Sequence, residues 1–166
     1  MKIILINGQG GTGKTLVANA LKNKITNSAL IDADALIGVN PFEFDKLAPL
    51  MFRNAVTLIS NFSNAGYQTI ITSGLTRNQE QLDSFLALVP DTEVVLVWLH
   101  ADRETRIARK LGRARDGADN LEWFEFGEKI YPDVKDFVMR RGKYFKIDTS
   151  AKTIDEVVSE IEKMIS

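Results

Sequence analysis

Short apolar runs alternate with longer amphipathic segments along most of the chain. The apolar runs predict five strands, over residues 2–7, 29–31, 67–72, 94–99 and 144–148. The first and fourth runs are apolar at nearly every position, which is typical of strands that are buried on both faces of a parallel sheet. The pattern therefore predicts a sheet that is covered on both sides.

The segments between the strands carry apolar residues at helical spacing. They predict helices over 14–25, 43–64, 102–111 and 121–141. One more helix is predicted after Thr76 and another after Thr153. The ring of Pro132 removes one backbone hydrogen bond and is expected to break the helix that contains it. Thr76 with Gln79, and Thr153 with Glu156, have the spacing of a capping box at the start of a helix.

Strands that alternate with helices indicate right-handed βαβ units and a parallel sheet between two helical layers. We therefore expect an α/β fold, a three-layer α/β/α sandwich around a five-stranded parallel sheet, with ligands at the carboxyl ends of the strands. The 166 residues fit one domain, 1–166, and leave little room for a second.

The composition excludes several kinds of chemistry. The chain has no cysteine, which rules out thiol catalysis, disulfides and cysteine-based zinc sites. Its one histidine, His100, argues against a histidine metal cluster or a histidine-based triad. The formal net charge of −1 gives no field that would attract a nucleic acid polymer or a membrane. The apolar run 3–6 is too short for a signal peptide or a membrane span, so we expect a cytoplasmic protein.

The first predicted strand leads into a glycine-rich run, Gly8-Gln9-Gly10-Gly11-Thr12-Gly13-Lys14-Thr15. Its glycines let the backbone wrap a phosphate with the N–H groups pointing inward. The helix that follows adds its positive N-terminal end to the same anion. Lys14 is expected to reach the β- and γ-phosphates, and the hydroxyl of Thr15 to bind magnesium. The run therefore predicts a site for ATP and Mg²⁺.

Two carboxylates, Asp32 and Asp34, stand at the end of the second predicted strand. An acid at this place can orient magnesium through water or accept the proton of an attacking hydroxyl. We expect Asp32 to assist the metal, and Asp34 to contact the phosphoryl acceptor or serve as a base. A solvated loop with a helix cap is the alternative interpretation.

The glycine-rich run 8–15, hereafter the phosphate loop, resembles that of P-loop NTPase folds. The stretch after the third strand resembles the adenylate-kinase-like nucleoside monophosphate kinases. Gly74 and Arg77 match the Asp-Gly-aromatic-Pro-Arg stretch of that family, while Ser73 replaces the acid and Thr76 the proline. The resemblance implies that Arg77 holds the phosphate of the acceptor, a role that suits its bidentate fork. An exposed arginine in the first turn of a helix is the alternative.

The charged segment after the fourth strand is similar to the start of the lid in the same kinases. Their Arg-x-x-x-Arg run is matched by Arg109 and Arg113, and Arg115 is a further candidate. The resemblance implies a short lid over about 110–120, whose arginines close over the transferring phosphoryl group and exclude water. Arg109 is expected to contact the nucleotide, and Arg113 and Arg115 to act in the transfer step.

The same segment carries Arg106 and Lys110, which are four residues apart. For these two residues the pattern favours a solvated, charged helix face that is stabilised by i,i+4 pairs.

Other residues resemble a second member of the broad fold family, the shikimate kinases. The Asp32-x-Asp34 pair and Phe52-Arg53 are similar to the Asp and Arg with which those enzymes grip the acceptor. This resemblance implies that Arg53 joins Asp34 and Arg77 at the acceptor. A phosphate acceptor needs no strong base, whereas an alcohol would make Asp34 essential as one.

Together these features predict an ATP- and magnesium-dependent kinase with a small-molecule acceptor, preferably a nucleotide or nucleoside monophosphate. A kinase of a small alcohol, similar to shikimate or sugar kinases, and a non-catalytic ATP-binding regulatory protein are the alternatives. A GTPase switch is disfavoured because the chain has no Asn-Lys-x-Asp guanine reader, and a motor ATPase because the third strand does not end in Asp. We expect a monomer or a homodimer.

Overall fold

A computed structural model describes residues 1–41, 43–112, 121–134 and 136–165. The strands form one parallel sheet in the order β2-β3-β1-β4-β5. Their bounds are β1 (Lys2–Gly8), β2 (Ser28–Asp32), β3 (Thr69–Ser73), β4 (Glu93–His100) and β5 (Lys143–Asp148). The predicted α/β fold with a five-stranded parallel sheet is confirmed, and each strand lies within two residues of its predicted bounds.

The helices connect these strands. They are α1 (Lys14–Lys24), α2 (Phe44–Asn64), α3 (Gln79–Leu88), α4 (Arg103–Leu111), α5 (Leu121–Ile130) and α6 (Ile154–Ile165), with a short 3₁₀ turn at Ala33–Ala35. In the described part of the chain, no helix combines the length and the apolarity that crossing a bilayer requires.

The sheet separates two apolar cores. Alternate residues of β1 point to opposite faces, so that Ile3 packs with α2 and α3, whereas Ile4 packs with α1 and α6. Both side chains are fully buried. Complete burial of such a side chain contributes roughly 1.5–3 kcal/mol, which explains why the strand is apolar throughout. Helices on both faces give the predicted three layers.

The strand order brings the ends of three neighbouring strands together. β1 lies between β3 and β4, with Ile6 opposite Ser73 and Gly8 opposite Leu99. The chain therefore leaves β1 at a point flanked by the carboxyl ends of β3 and β4. Open α/β sheets bind ligands in such a crevice.

The predicted helix over 121–141 is wrong beyond Pro132. Helix α5 ends at Ile130, and the described residues between it and β5 form no helix. Phe137 is buried in the core, with its ring centroid 5.1 Å from that of Trp98 and 5.6 Å from that of Tyr144. A non-helical course lets this side chain reach the core, and a helix continued past the proline would lack a hydrogen bond.

Of the two predicted capping boxes, only the second is confirmed. The Thr153 N–H donates to Glu156 Oε2 at 2.8 Å, and the Glu156 N–H donates to Thr153 Oγ1 at 3.3 Å. The first box is wrong because Asn78 caps α3, accepting from the Gln81 N–H at 2.8 Å. Thr76 is buried and accepts a hydrogen bond from an asparagine side chain of β1 instead.

Candidate active site

The loop between β1 and α1 depends on glycine at several positions. Gly8, Gly11 and Gly13 have φ angles of 146°, 87° and 95°, which side chains rarely adopt. A Cβ atom on Gly8 would lie 2.2 Å from the carbonyl oxygen of Leu99, and one on Gly11 would lie 2.7 Å from that of Arg106. Glycine is therefore required both for the turn and for the close approach of neighbouring backbone.

Lys14 and Thr15 open helix α1 directly after this loop. The ammonium of Lys14 donates to the carbonyl oxygen of Gln9 at 2.8 Å, so its stem folds back across the loop. The Thr15 hydroxyl lies 3.4 Å from the Ser73 hydroxyl at the end of β3. Gly13 has no side chain with which to cap α1, which leaves the first backbone N–H groups of the helix for an anion.

A polar cavity of about 360 Å³ opens over this loop. Its walls include most of the predicted phosphate-binding residues and several side chains from other elements, namely Gly8, Gln9, Gly10, Gly11, Gly13, Lys14, Thr15, Asp34, Ser73, Gly74, Arg77, Trp98, Lys110, Phe124, Gly127, Glu128 and Tyr131. We call it the phosphate cavity.

The residues present fit a nucleotide with magnesium. Backbone amides, the Lys14 ammonium and the start of α1 provide donors and positive charge for phosphates. Among the described residues no three acidic or histidine side chains cluster as a metal site. The Thr15 hydroxyl in the cavity wall is an oxygen of the kind that binds magnesium beside phosphates. Mg²⁺ is commonly held by one or two protein ligands together with substrate phosphates and water. The loop, Lys14 and Thr15 thus have the chemistry that a site for ATP and Mg²⁺ requires.

A second cavity, of about 440 Å³, lies between α1 and α6 beside the loop. It is mainly apolar, with walls from Thr12, Gly13, Leu16, Val17, Arg109, Gly112, Thr149, Lys152, Thr153, Ile154 and Val157. Arg109 donates to the hydroxyl of Thr149 at 3.1 Å and to its carbonyl oxygen at 2.6 Å. An apolar slot with a guanidinium at its rim has the character of a site for a nucleobase.

A third cavity, of about 540 Å³, adjoins the phosphate cavity on the side of α2 and α5. Apolar residues form most of its wall, among them Ile37, Val39, Leu47, Met51, Phe126 and Ile130. Asp34, Arg77, Gly127 and Tyr131 line both this cavity and the phosphate cavity. We call it the acceptor cavity, because it shares these four residues with the phosphate cavity.

Arg77 stands at the junction of these two cavities. Its guanidinium carbon lies 4.3 Å from the centroid of the Tyr131 ring, a cation–π arrangement that fixes the side chain. The Arg77 N–H donates to Gln81 Oε1 at 3.0 Å, which holds the backbone at the start of α3. The guanidinium is only partly buried and can bind an anion from either cavity.

The two carboxylates after β2 differ in position. Asp34 is exposed and lines both the phosphate cavity and the acceptor cavity. Asp32 Oδ1 accepts the Asp34 N–H at 3.1 Å and caps the 3₁₀ turn. It is paired in register with Ser73, so it lies near the Thr15 side of the site. Asp34, and not Asp32, thus lines the phosphate cavity and the acceptor cavity.

The remaining predicted site residues fall in different places. Arg53 is exposed on α2 and lines a separate groove together with Asp45 and Glu80, so the structure does not bring it together with Arg77. Arg113 and Arg115, and most of the predicted lid over about 110–120, lie outside the described residues.

The structure also reveals a buried network that sequence reasoning missed. Glu128 of α5 accepts from Arg106 at 2.6 and 2.7 Å, and from the side chain of Gln9 at 3.0 Å. Gln9 donates in addition to the carbonyl oxygen of Tyr131 at 3.2 Å. The phosphate loop, α4 and α5 are therefore joined by charge-assisted hydrogen bonds, which are stronger than neutral ones.

This network corrects the predicted solvated face of α4. Arg106 is only 4% exposed, and its partner is on another helix, 22 residues away. Lys110 lines the phosphate cavity and packs over Gly10. Neither contact follows from a spacing between residues that are close in the sequence. The available signal was Gly11, because a glycine at such a position can indicate that another segment of backbone packs closely against it.

Asp133 lies behind the site with two hydrogen-bond donors and one further basic neighbour. Its carboxylate accepts from Trp98 Nε1 at 2.9 Å and from Lys146 Nζ at 3.3 Å, and it lies 3.1 Å from His100 Nδ1. Burial opposes ionisation of Asp133, but the indole hydrogen bond and the two basic neighbours outweigh it and lower the pKa of the carboxyl overall. The carboxylate thus fixes Trp98, which forms part of the phosphate cavity wall.

Comparison with known proteins agrees with this geometry, although no family model matches the chain. An adenylate kinase of a Nitratiruptor species is 28% identical over 99% of this chain and 95% of its own length. The adenylate kinase of a Sulfurovum species is 26% identical over 99% of this chain and 97% of its own. The chain is a P-loop phosphotransferase. The resemblance to nucleoside monophosphate kinases is thereby confirmed.

A solved structure supports the fold. The sugar kinase of a Janibacter species superimposes with a TM-score of 0.76 at 17% identity, covering 99% of this phosphotransferase and 94% of that chain. At such low identity the likeness concerns the fold, and it leaves the acceptor to be argued from the side chains of this chain.

Proposed function

We propose that this phosphotransferase moves the γ-phosphoryl group of ATP to a nucleoside monophosphate, with Mg²⁺ bound at Thr15. The observation that carries the proposal is Arg77, which lines both the apolar acceptor cavity and the phosphate cavity. A guanidinium at such a junction can bind the acceptor's phosphate beside the phosphates of the donor. The two adenylate kinases that the chain resembles have this class of acceptor in their names.

The acceptor cavity has the properties that a nucleobase requires. Its wall is largely apolar, with Met51 from α2 and Phe126 from α5, and Gln81 is a polar group that can pair with a base edge. A sugar alone would leave most of that apolar wall in contact with water or with hydroxyl groups. The volume of about 540 Å³ lies within the usual range for small-ligand pockets.

On the donor side, each residue has one task in the proposal. Lys14 and the loop amides hold the phosphates, Thr15 binds the metal directly, and Asp32 assists it through water. The metal when bound neutralises charge on the β- and γ-phosphates. Arg109 borders the base. Arg113 and Arg115 remain candidates for closing over the transferring group.

Substitution of Arg77 tests the acceptor. Wild-type protein should phosphorylate one or more nucleoside monophosphates, and Arg77→Met should raise the KM for that acceptor about tenfold to a hundredfold, because one charge-assisted contact is worth roughly 1.5–3 kcal/mol. The affinity for ATP should change little. Arg53→Met is the matched control, since Arg53 lines a different groove, and it should leave the KM near the wild-type value.

A second acceptor class is favoured by one observation. Asp34 lines the phosphate cavity, where it can reach a hydroxyl group that attacks phosphorus. For an alcohol acceptor, Asp34→Asn should lower kcat by about a hundredfold or more, because it removes the general base. Near-normal turnover of Asp34→Asn, with product formed from a monophosphate, contradicts the alcohol mechanism. Product formed only from an alcohol contradicts the monophosphate proposal.

A further inference from the structure

Helix α4 rests directly on the phosphate loop. A Cβ atom on Gly11 would lie 3.0 Å from the Arg106 Cα atom, so the backbones approach as closely as glycine allows. The Arg106 side chain donates to the carbonyl oxygen of Ala101 at 3.0 Å and to both carboxylate oxygens of Glu128. The helix is therefore fixed relative to the loop by packing and by a buried ion pair.

Lys110 lies one helical turn after Arg106, on the same face of α4. A Cβ atom on Gly10 would lie 3.2 Å from Lys110 Cε and 3.6 Å from its Nζ, so the side chain runs across the loop. Lys110 is also part of the phosphate cavity wall, together with Lys14 and Thr15. Its ammonium therefore faces the space in which the phosphates bind.

The surroundings of Lys110 leave this charge available. Within the described residues no carboxylate forms an ion pair with it, and its ammonium lies 5.7 Å from the centroid of the Phe124 ring. The side chain is half-buried, held by Gly10 on one side and by Phe124 on the other. A cation held between a glycine and an aromatic face beside an anion site is preorganised for a ligand of opposite charge.

We propose that Lys110 is a further catalytic residue, which contacts the terminal phosphate of the bound nucleotide and stabilises the charge on the group in transfer. The transferring phosphoryl group spreads negative charge over three oxygens, and a preplaced cation lowers the energy of that arrangement. Lys110 approaches from α4, whereas Lys14 approaches from α1. The proposal rests on phosphate binding at the loop and not on the identity of the acceptor.

Nucleotide binding without an acceptor tests the proposal. Isothermal titration calorimetry would compare Mg-ADP with Mg-AMPPNP, a non-hydrolysable ATP analogue, in wild type, Lys110→Met, Lys110→Arg and Lys129→Met. Lys110→Met should weaken AMPPNP binding about tenfold or more and ADP binding less than about threefold, because only the analogue has the third phosphate. Lys110→Arg keeps the charge and should recover part of the AMPPNP affinity that Lys110→Met loses.

Methionine preserves the apolar contacts with Gly10 and Phe124, so the variant removes the charge with little change in packing. Lys129 is exposed on α5 and is the control for loss of one positive charge; its variant should bind both nucleotides normally. Equal loss of ADP and AMPPNP affinity in Lys110→Met, or unchanged AMPPNP affinity, overturns the proposal. A fall in thermal stability with an unchanged affinity ratio identifies a merely structural role and overturns it as well.

Turnover gives a second readout. At saturating ATP and acceptor, Lys110→Met should lower kcat about a hundredfold to a thousandfold, as removal of one preorganised donor does in other enzymes. A normal kcat contradicts the proposal. If wild-type protein binds AMPPNP but phosphorylates no monophosphate, the acceptor assignment fails while the calorimetric result for Lys110 still stands.

Discussion

Arg106 and Glu128 form a two-pronged ion pair, with nitrogen–oxygen distances of 2.6 and 2.7 Å, at the base of the phosphate loop. The pair joins α4 to α5, and Glu128 also accepts a hydrogen bond from Gln9 of the loop. Arg106 is almost fully buried, so Glu128 is the counterion that compensates its loss of water. Loss of Glu128 leaves a guanidinium with no counterion in the protein interior.

We therefore expect Glu128→Ala to reduce the free energy of unfolding by about 3–5 kcal/mol, the usual effect of breaking a buried ion pair on one side. Urea denaturation followed by circular dichroism measures this. Arg103 and Glu125 form an exposed ion pair between the same two helices, and Glu125→Ala is the matched control. It should reduce the free energy of unfolding by about 0–1 kcal/mol. Equal losses in the two variants would contradict the role assigned to Glu128.

Gly11→Ala tests the close contact between the loop and α4. The new Cβ would lie 2.7 Å from the Arg106 carbonyl oxygen at a φ of 87°, so both clash and backbone strain are expected. We expect ATP affinity to fall at least about tenfold, because the loop must move to relieve the clash. Gly66→Ala separates the two effects, since Gly66 has a φ of 93° with open space around it.

Gly66→Ala should therefore lose about 1–2 kcal/mol of stability through strain alone, with normal ATP binding. Equal ATP affinity in Gly11→Ala and wild type would show that the contact with α4 does not shape the loop.

Thr15 is expected to supply the protein's hydroxyl ligand to magnesium. Thr15→Ala should raise the Mg²⁺ concentration that gives half-maximal turnover, whereas Thr15→Ser keeps the hydroxyl and should restore the wild-type dependence. A magnesium titration of the initial rate measures both. Thr57→Ala, on the exposed side of α2, is the control and should leave the titration unchanged. An unaltered magnesium dependence in Thr15→Ala would contradict this ligand assignment.

Asp133 should make stability depend on pH in acid. Its pKa is lower in the folded state than the ordinary 3.8, so the folded protein binds this proton less readily than the unfolded chain. The stabilisation is therefore fully present above the ordinary pKa and is lost as pH falls through the folded pKa. Unfolding free energies measured from pH 6 down to pH 3 should fall less steeply in Asp133→Asn than in wild type.

Asp155→Asn, which removes an exposed carboxylate of α6, is the comparison for Asp133→Asn. If the unfolding free energy of Asp133→Asn fell with pH as steeply as that of wild type, the ionised carboxylate of Asp133 would not be the source of the stabilisation by Trp98 and Lys146.

The strands and the phosphate loop were predictable because their signals are local. Ile3 and Ile4 are buried on opposite faces of the sheet, and a continuous apolar run reports that condition directly. Likewise, Gly13 and Lys14 occupy the expected turn between β1 and α1 because the motif specifies its own backbone geometry.

The contacts of Arg106 and Phe137 were not predictable in the same way. The partner of Arg106 is 22 residues away on α5, and only the folded chain brings the two together. Phe137 lies in a segment whose pattern suits a helix, but its burial against Trp98 decides the backbone course. Tertiary packing overrides local propensity at such positions.

Of the three residues that the sequence suggested for an acceptor, the structure brings only two together. Asp34 and Arg77 follow neighbouring strands, so parallel pairing brings them to one edge of the sheet. Arg53 depends instead on the rotation of α2, in which Phe52 occupies the core and the next side chain turns outward. A resemblance between sequences does not specify that rotation.

The hydrogen bond from Lys14 to the carbonyl oxygen of Gln9 has a consequence for the energetics of nucleotide capture. It shapes the loop from within, as does the bond from the Thr12 hydroxyl to the same oxygen at 2.9 Å. A nucleotide then meets a rigid receptor and needs only to draw the ammonium toward itself. The entropy lost in ordering the loop is thus part of folding, and nucleotide affinity is not reduced by it.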